Sequence, residues 1–190
     1  GSTIRSNVID GGTVNVYGGT VYAKGGDYGA GIGGGCNGSG AHTYIYGGTV
    51  TAIGGKDAAG VGGGEDGSGA KGIVDGGTLR AEGNGTAAGI GGGEGKTQSL
   101  FEYKSGNVIA IAGGKCKARE AKGGSAIGSG KGEKYKRKIL FCNHIRLAAD
   151  CKVTAGDAEN NVERTFTTIE REAACRWRNF VKLETWEQKE

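Results

Sequence analysis

Two tyrosines, Tyr17 and Tyr46, stand 29 residues apart, and Asp75 and Lys104 follow at the same interval. Tyr44 lies two residues from Tyr46, and so on the same face of any strand that carries both. Aromatic rings with hydroxyl tips beside a carboxylate form a surface that can hold a sugar, apolar face on ring and hydroxyls on polar tips. Tyr17, Tyr44, Tyr46 and Asp75 are therefore the candidate ligand-binding residues. A second candidate surface is basic: Lys134, Lys136 and Arg137 belong to the densest run of positive charge, residues 131–138, and would meet a partner molecule.

Other chemistries find less support. A polysaccharide lyase or hydrolase needs acids and a base converging on one groove. Asp75, Arg80 and Glu82 all fall within one repeat, and no second repeat supplies matching groups. The two histidines, His42 and His144, are the near-neutral bases available. His42 occupies a repeat position held elsewhere by Thr13, Lys71 and Leu100, which marks it as a surface residue. Glu65-Asp66-Gly67 has a faint likeness to a calcium-binding turn, but the same corner is Cys36-Asn37 and Glu94-Gly95 in neighbouring repeats, so carboxylates do not accumulate. Gly31-Ile32-Gly33-Gly34-Gly35 lacks the Lys-Ser/Thr ending of a phosphate loop. A threonine column (Thr20, Thr49, Thr78) would suit an ice-binding face, yet it ends at Asn107. The five cysteines (Cys36, Cys116, Cys142, Cys151, Cys175) show no metal-ligand spacing. The reading is of a protein without catalytic residues, metal or cofactor.

What positions the tyrosines is a repeat. Gly29-Ala30-Gly31-Ile32-Gly33-Gly34-Gly35 returns around Val61 and Ile90, 29 residues apart each time, and in degraded form at Ser125-Ala126-Ile127-Gly128. Thr20-Val21-Tyr22-Ala23 returns as Thr49-Val50-Thr51-Ala52, Thr78-Leu79-Arg80-Ala81 and Asn107-Val108-Ile109-Ala110, and again as Lys152-Val153-Thr154-Ala155. Strand alternation turns Val21, Val50, Leu79 and Val108 inward and Tyr22, Thr51, Arg80 and Ile109 outward. A preceding strand contributes Val16, Ile45, Val74 and Tyr103 to the interior. Fixed-period self-similarity of this kind means stacked structural units. Three short strands per period, with like residues stacked on like, specify an all-β fold: a parallel β-solenoid, right-handed by the chirality of parallel crossovers. Its coils should repeat at about 4.8 Å.

The 43 glycines among 190 residues mark tight corners, and the absence of proline and of a triplet period excludes collagen. The period breaks after Gly114, where about nine extra residues, 115–123, enter a coil as part of an inserted basic segment near 115–138. Residues 139–141 are expected to supply a strand. Residues 1–160 then form the solenoid and 161–190 a C-terminal cap of the same folding unit. A capping box at Thr167-Thr168-Ile169-Glu170 predicts a short helix there. Net charge is +4, but residues 1–100 carry 6 Lys/Arg against 8 Asp/Glu and residues 101–190 carry 18 against 12. No apolar run is long enough to enter a membrane, and the modest charge does not point to nucleic acid. Gly1-Ser2 and the lack of any Met suggest a piece of a longer polypeptide.

Gly47-Gly48-Thr49-Val50-Thr51-Ala52-Ile53-Gly54-Gly55-Lys56-Asp57-Ala58-Ala59-Gly60-Val61-Gly62-Gly63-Gly64 and its siblings resemble the glycine-rich repeats of large surface or secreted proteins of Gram-positive gut bacteria. Val153-Thr154-Ala155-Gly156-Asp157-Ala158, followed by residues 171–184, resembles the segment that often closes such blocks. The resemblance covers roughly residues 10–184. It implies an extracellular or surface-attached repeat domain with an adhesive or carbohydrate-associated role, whose partner is a glycan or a host surface protein. A non-binding stalk and a carbohydrate-active enzyme are the alternatives.

Overall fold

Thr-Val and Tyr-Ile pairs suit a pleated, half-buried surface, and Gly-Gly pairs interrupt it. The computed structural model describes residues 10–93 without a break, and the strands at 100–112, 127–128, 144–147, 151–157 and 162–166; side chains are described for 10–93, 107–109 and 127. The first coil holds β1 (Thr13–Val16), β2 (Thr20–Lys24) and β3 (Ile32–Gly33). The second holds β4 (His42–Ile45), β5 (Thr49–Ile53) and β6 (Val61–Gly62). In the third, the first two strands fuse into β7 (Lys71–Glu82), followed by β8 (Ile90–Gly91). The fourth repeats that arrangement as β9 (Leu100–Ala112) and β10 (Ile127–Gly128). The expected three strands per coil thus become two where the Gly76-Gly77 bend stays within the ladder.

Every pairing between these coils is parallel. Val21, Val50, Leu79 and Val108 are direct partners in sequence, and so are Val16, Ile45, Val74 and Tyr103. The third column runs Ile32, Val61, Ile90, Ile127. Ile127 therefore keeps its place although 37 residues, rather than 29, separate it from Ile90. The first two columns form one sheet and the third a separate four-stranded sheet. Corners are bonded from coil to coil as well: Ile32 N–H donates to the Gly60 carbonyl (2.9 Å), Val61 to Gly89 (3.0 Å) and Gly63 to Gly91 (2.9 Å). The winding chain thereby finds partners for its corner amides, which buried backbone requires.

The core lies between the sheets and draws one side chain per column from each coil. Ile45, Val50, Val61, Val74, Leu79, Ile90 and Val108 are all fully buried, with Ala52 and Ala81 inside β5 and β7 and Ala41 and Ala70 just before β4 and β7 packed against them. Each large aliphatic contributes about 1.5–3 kcal/mol by leaving water. Val14, Val21 and Ala23 of the first coil are partly buried and pack against this core. One interior position is polar: Thr43, in register with Val14 and Gly72, is 0% exposed, and its Oγ1 has no hydrogen-bond partner among the described residues.

The glycines of the repeated motif have a steric reason. Gly33, Gly62 and Gly91 stack with φ of 146°, 148° and 146°. A Cβ on Gly33 would lie 1.8 Å from the Gly62 carbonyl oxygen, and one on Gly62 1.8 Å from that of Gly91. Only glycine takes this backbone conformation without strain, and only glycine leaves room for the next coil.

At the far end, β11 (His144–Leu147) pairs parallel with Leu100–Tyr103 and β12 (Cys151–Asp157) with the second half of β9. Val153 partners Val108, as the returning signature requires. The strand occupying the β9 slot is His144–Leu147; the one expected at 139–141 lies outside the described residues, as do the insertion at 115–123 and the helix expected from Thr167. β13 (Val162–Phe166) then pairs antiparallel with β12, ending the parallel stack. Among the described residues there is no helix.

Two substitutions should move stability in opposite directions. Leu79→Ala opens a cavity in a filled column and should cost about 2–5 kcal/mol. Thr43→Val removes an unpaired buried hydroxyl while keeping its shape, and should be neutral or stabilising by about 1 kcal/mol. Urea denaturation of both variants against the parent sequence measures each sign.

Candidate functional site

Alternation within β1 and β4 sends Asn15 and Tyr44 outward beside the buried Val16 and Ile45, and Tyr17 and Tyr46 follow on the same face. Tyr17 and Tyr46 are 77% and 44% exposed. Their rings are nearly parallel, at 9°, with centroids 5.2 Å apart. At a contact separation of about 3.5–4.0 Å between ring planes, that distance requires a lateral slip of about 3–4 Å. The pair is therefore offset-stacked, the arrangement aromatic quadrupoles favour. The rings overlap like shingles along the solenoid axis instead of lying side by side as a flat apolar floor. Each keeps part of a face and its hydroxyl edge open to solvent. Tyr46 is the more covered because Tyr17 and Asp75 flank it on both sides in the column.

Tyr44 is half-buried between Asn15 and Ile73 in register. Asp75 is exposed, next after Tyr46. The column then departs from the sequence expectation: Asp75 pairs with Ser105, not Lys104, and the register slips at Val74/Asp75 before recovering at Thr78/Asn107. The backbones are close here. A Cβ on Gly47 would stand 2.9 Å from the Tyr17 carbonyl oxygen, and one on Gly76 2.5 Å from that of Tyr46. The slip falls where the fourth coil has Ser105 at the repeat position of this glycine.

Tyr22, 66% exposed in the neighbouring column, was not among the residues singled out from the sequence. Its signal was present, an aromatic at an outward position of the Thr-Val strand. Tyr17, Tyr22, Tyr44 and Tyr46 thus all project from the outer face of the first two coils. The basic candidates Lys134, Lys136 and Arg137 lie outside the described residues.

Of the remaining candidates, Arg80, Glu82, His42 and the threonine column lie among the described residues. Arg80 donates through Nε to Glu82, so the two are tied to each other. His42 is exposed between Thr13 and Lys71, as its repeat position implied. Thr20, Thr49, Thr78 and Asn107 do align. Among the described residues no group of His, Cys, Asp and Glu is placed to hold a metal ion. No helix there is long and apolar enough to cross a membrane.

A charged cluster decorates one corner. Tyr28 and Asp57 hold successive turns with φ of 62° and 53°, a conformation that suits Asp far better than Tyr. Lys56 Nζ donates to the Tyr28 hydroxyl at 3.3 Å and sits 5.2 Å from the ring centroid. That hydrogen bond, with Asp57 and Glu65 nearby, holds the ammonium above the usual lysine range. Glu65 N–H donates to the Tyr28 carbonyl (2.9 Å), and the exposed Cys36 Sγ lies 3.7 Å from Glu65 Oε2. Desolvation, then the Glu65 carboxylate, then Asp66 push the Cys36 thiol up.

The sequence model of a family described as "Beta helix repeat" matches residues 14–36, 44–65 and 73–94. These are the successive coils just described, each beginning in the first strand column and ending after the glycine corner. No curated protein and no solved structure matches the chain. The chain is a parallel β-solenoid, and its first three coils match that repeat model.

The corner cluster has a measurable consequence. The Cys36 thiol should alkylate with iodoacetamide along a pH curve displaced upward from a free cysteine. Glu65→Gln removes a nearby negative charge and should return the curve toward the ordinary thiol range, raising the rate at a fixed pH near 8. Peptide mapping isolates Cys36 from the other cysteines.

Proposed function

We propose that this chain is a binding module of a larger surface or secreted bacterial protein, and that it holds a glycan on the outer face of its first two coils. The contacts are made by Tyr17, Tyr44, Tyr46 and Asp75, with Tyr22 at the margin. The observation that carries this reading is the exposed, offset-stacked Tyr17–Tyr46 pair. A solenoid has no packing need for large rings on its solvent face, and exposed aromatics with polar tips are enriched where proteins meet ligands. Lys134, Lys136 and Arg137, on the inserted segment, would add contacts to a host surface protein; insertions into repeats commonly map to a binding face. The module acts outside the cell, without catalysis, cofactor or metal.

A stalk that displays other domains is the second reading. The unbroken third column from Ile32 to Ile127 favours it, since stiffness along an axis is what such a spacer needs. One comparison separates the two. On a glycan array, the wild-type chain should give signals that Tyr44→Ala/Tyr46→Ala loses by tenfold or more, with an unchanged far-UV spectrum. Equal signals from both proteins remove the tyrosine site, and no signal on any glycan leaves the stalk.

A further inference from the structure

The chain contains two Asn-Gly pairs, Asn37-Gly38 and Asn84-Gly85, and both asparagines are exposed. Asparagine is chemically labile, most of all before glycine, where no Cβ shields the following amide nitrogen from the side-chain carboxamide. The fold treats the two pairs differently. Gly38 N–H closes a turn by donating to the Gly35 carbonyl (2.7 Å), and Gly38 is buried. Asn84 instead opens a turn, with Ala87 N–H donating back to the Asn84 carbonyl at 3.1 Å. Gly85 is then the second residue of that turn, whose nitrogen the turn itself leaves unused. Its N–H donates to Asn84 Oδ1 at 2.7 Å. The carboxamide is thus folded over the nitrogen that can attack it. With a C=O bond of about 1.2 Å, Asn84 Cγ lies no more than about 3.9 Å from that nitrogen.

The preceding coil explains why residue 85 is glycine. Asp57 Oδ1 accepts from Thr86 N–H (3.2 Å), and a Cβ on Gly85 would stand 1.9 Å from that oxygen. Gly85 also holds φ at +58°. The packing that demands glycine therefore leaves its nitrogen without a shielding side chain. We propose that Asn84-Gly85 is a self-modification site, which converts to aspartate and isoaspartate with water as the co-reactant, and that Asn37-Gly38 is protected. Hydroxide removes the Gly85 amide proton, and the nitrogen bonds to Asn84 Cγ. The Cγ–Nδ2 bond breaks, and Nδ2 takes a proton from water and leaves as ammonia, which regenerates the hydroxide. One water then opens the five-membered imide at either carbonyl, giving aspartate or isoaspartate. The product places a new carboxylate in the corner that already holds Asp57. Asn84 N–H donates to the Ala58 carbonyl (3.1 Å), so this residue is bonded to the coil before it. The isoaspartyl form adds one methylene to the main chain there.

The test incubates the full chain at about pH 8, native and in urea, and follows the one-dalton gain at each asparagine by peptide mapping. An isoaspartyl methyltransferase counts the isoaspartate. In urea neither turn exists, and both pairs should convert at similar rates. In the native chain Asn37 must wait for its turn to open, and Asn84 should convert at least tenfold faster, yielding both products. Asn84→Gln should lose the gain at that position and leave Asn37 as slow as before. A smaller native difference, a faster Asn37, or conversion of Asn84 in urea alone overturns the proposal.

Discussion

One steric constraint underlies the whole arrangement: where coil meets coil at Gly33 and Gly62, a carbonyl oxygen of the next coil occupies the space of a missing Cβ. The approach is so close that side chains are excluded, and the backbone there takes a φ near +147° that L residues avoid. Everything else is set by that contact. It holds the third column in register, across the 29-residue steps from Ile32 to Ile90 and across the 37 residues from Ile90 to Ile127 alike. In the other two columns the 29-residue spacing aligns Val21, Val50, Leu79 and Val108 into a filled interior and brings Tyr17 over Tyr46. The degraded fourth copy of the motif keeps Gly128 in this column, opposite Gly91, although it loses other glycines. The position under the strongest constraint is the one retained.

The consequence is a division between the two faces of each strand. Inward positions answer to the coils above and below, and in the first three coils hold mostly Val, Leu, Ile, Ala and Gly; among the described residues Thr43 is the fully buried polar one, with its hydroxyl unpaired. Outward positions answer only to solvent and to whatever the protein meets. The outward columns accordingly change from coil to coil: Tyr22, Thr51, Arg80 and Ile109 share one, and Tyr17, Tyr46, Asp75 and Ser105 another. Variation concentrated on one face of an otherwise repetitive scaffold is what a binding surface needs, and the tyrosines gather at the end where the glycine turns are most regular.

Much of this was legible in the residues, since a repeat shows its own register. Like positions 29 apart had to become neighbours, and the inward and outward columns follow from alternation alone. The Ile127 pairing could be read across the insertion because its glycine motif survived. Other features depend on three-dimensional detail that spacing does not carry. The slip that replaces Lys104 by Ser105 beside Asp75 falls at the repeat position of Gly76, which lies against the Tyr46 carbonyl. The substitution of Ser for Gly was visible, but the closeness of the carbonyl was not. Likewise, the spacing placed Tyr17 beside Tyr46 without saying that the rings overlap by their faces, which turns a flat platform into a shingled one. The strand at His144–Leu147 fell in a stretch where the period is lost, so no repeat position pointed to it.

The account turns on glycine being required for stacking and not merely for flexibility, and a paired substitution measures that directly. Gly62→Ala places a methyl 1.8 Å from the Gly91 carbonyl oxygen at φ +148°, whereas Gly26→Ala places one where nothing lies within 4 Å. By urea denaturation, Gly62→Ala should lose more than about 3 kcal/mol, combining backbone strain with overpacking, or fail to fold. Gly26→Ala should stay within about 1 kcal/mol of the parent and could gain by stiffening the unfolded chain. Equal, small effects at both positions would contradict the stacking contact and with it the coil register on which the site depends.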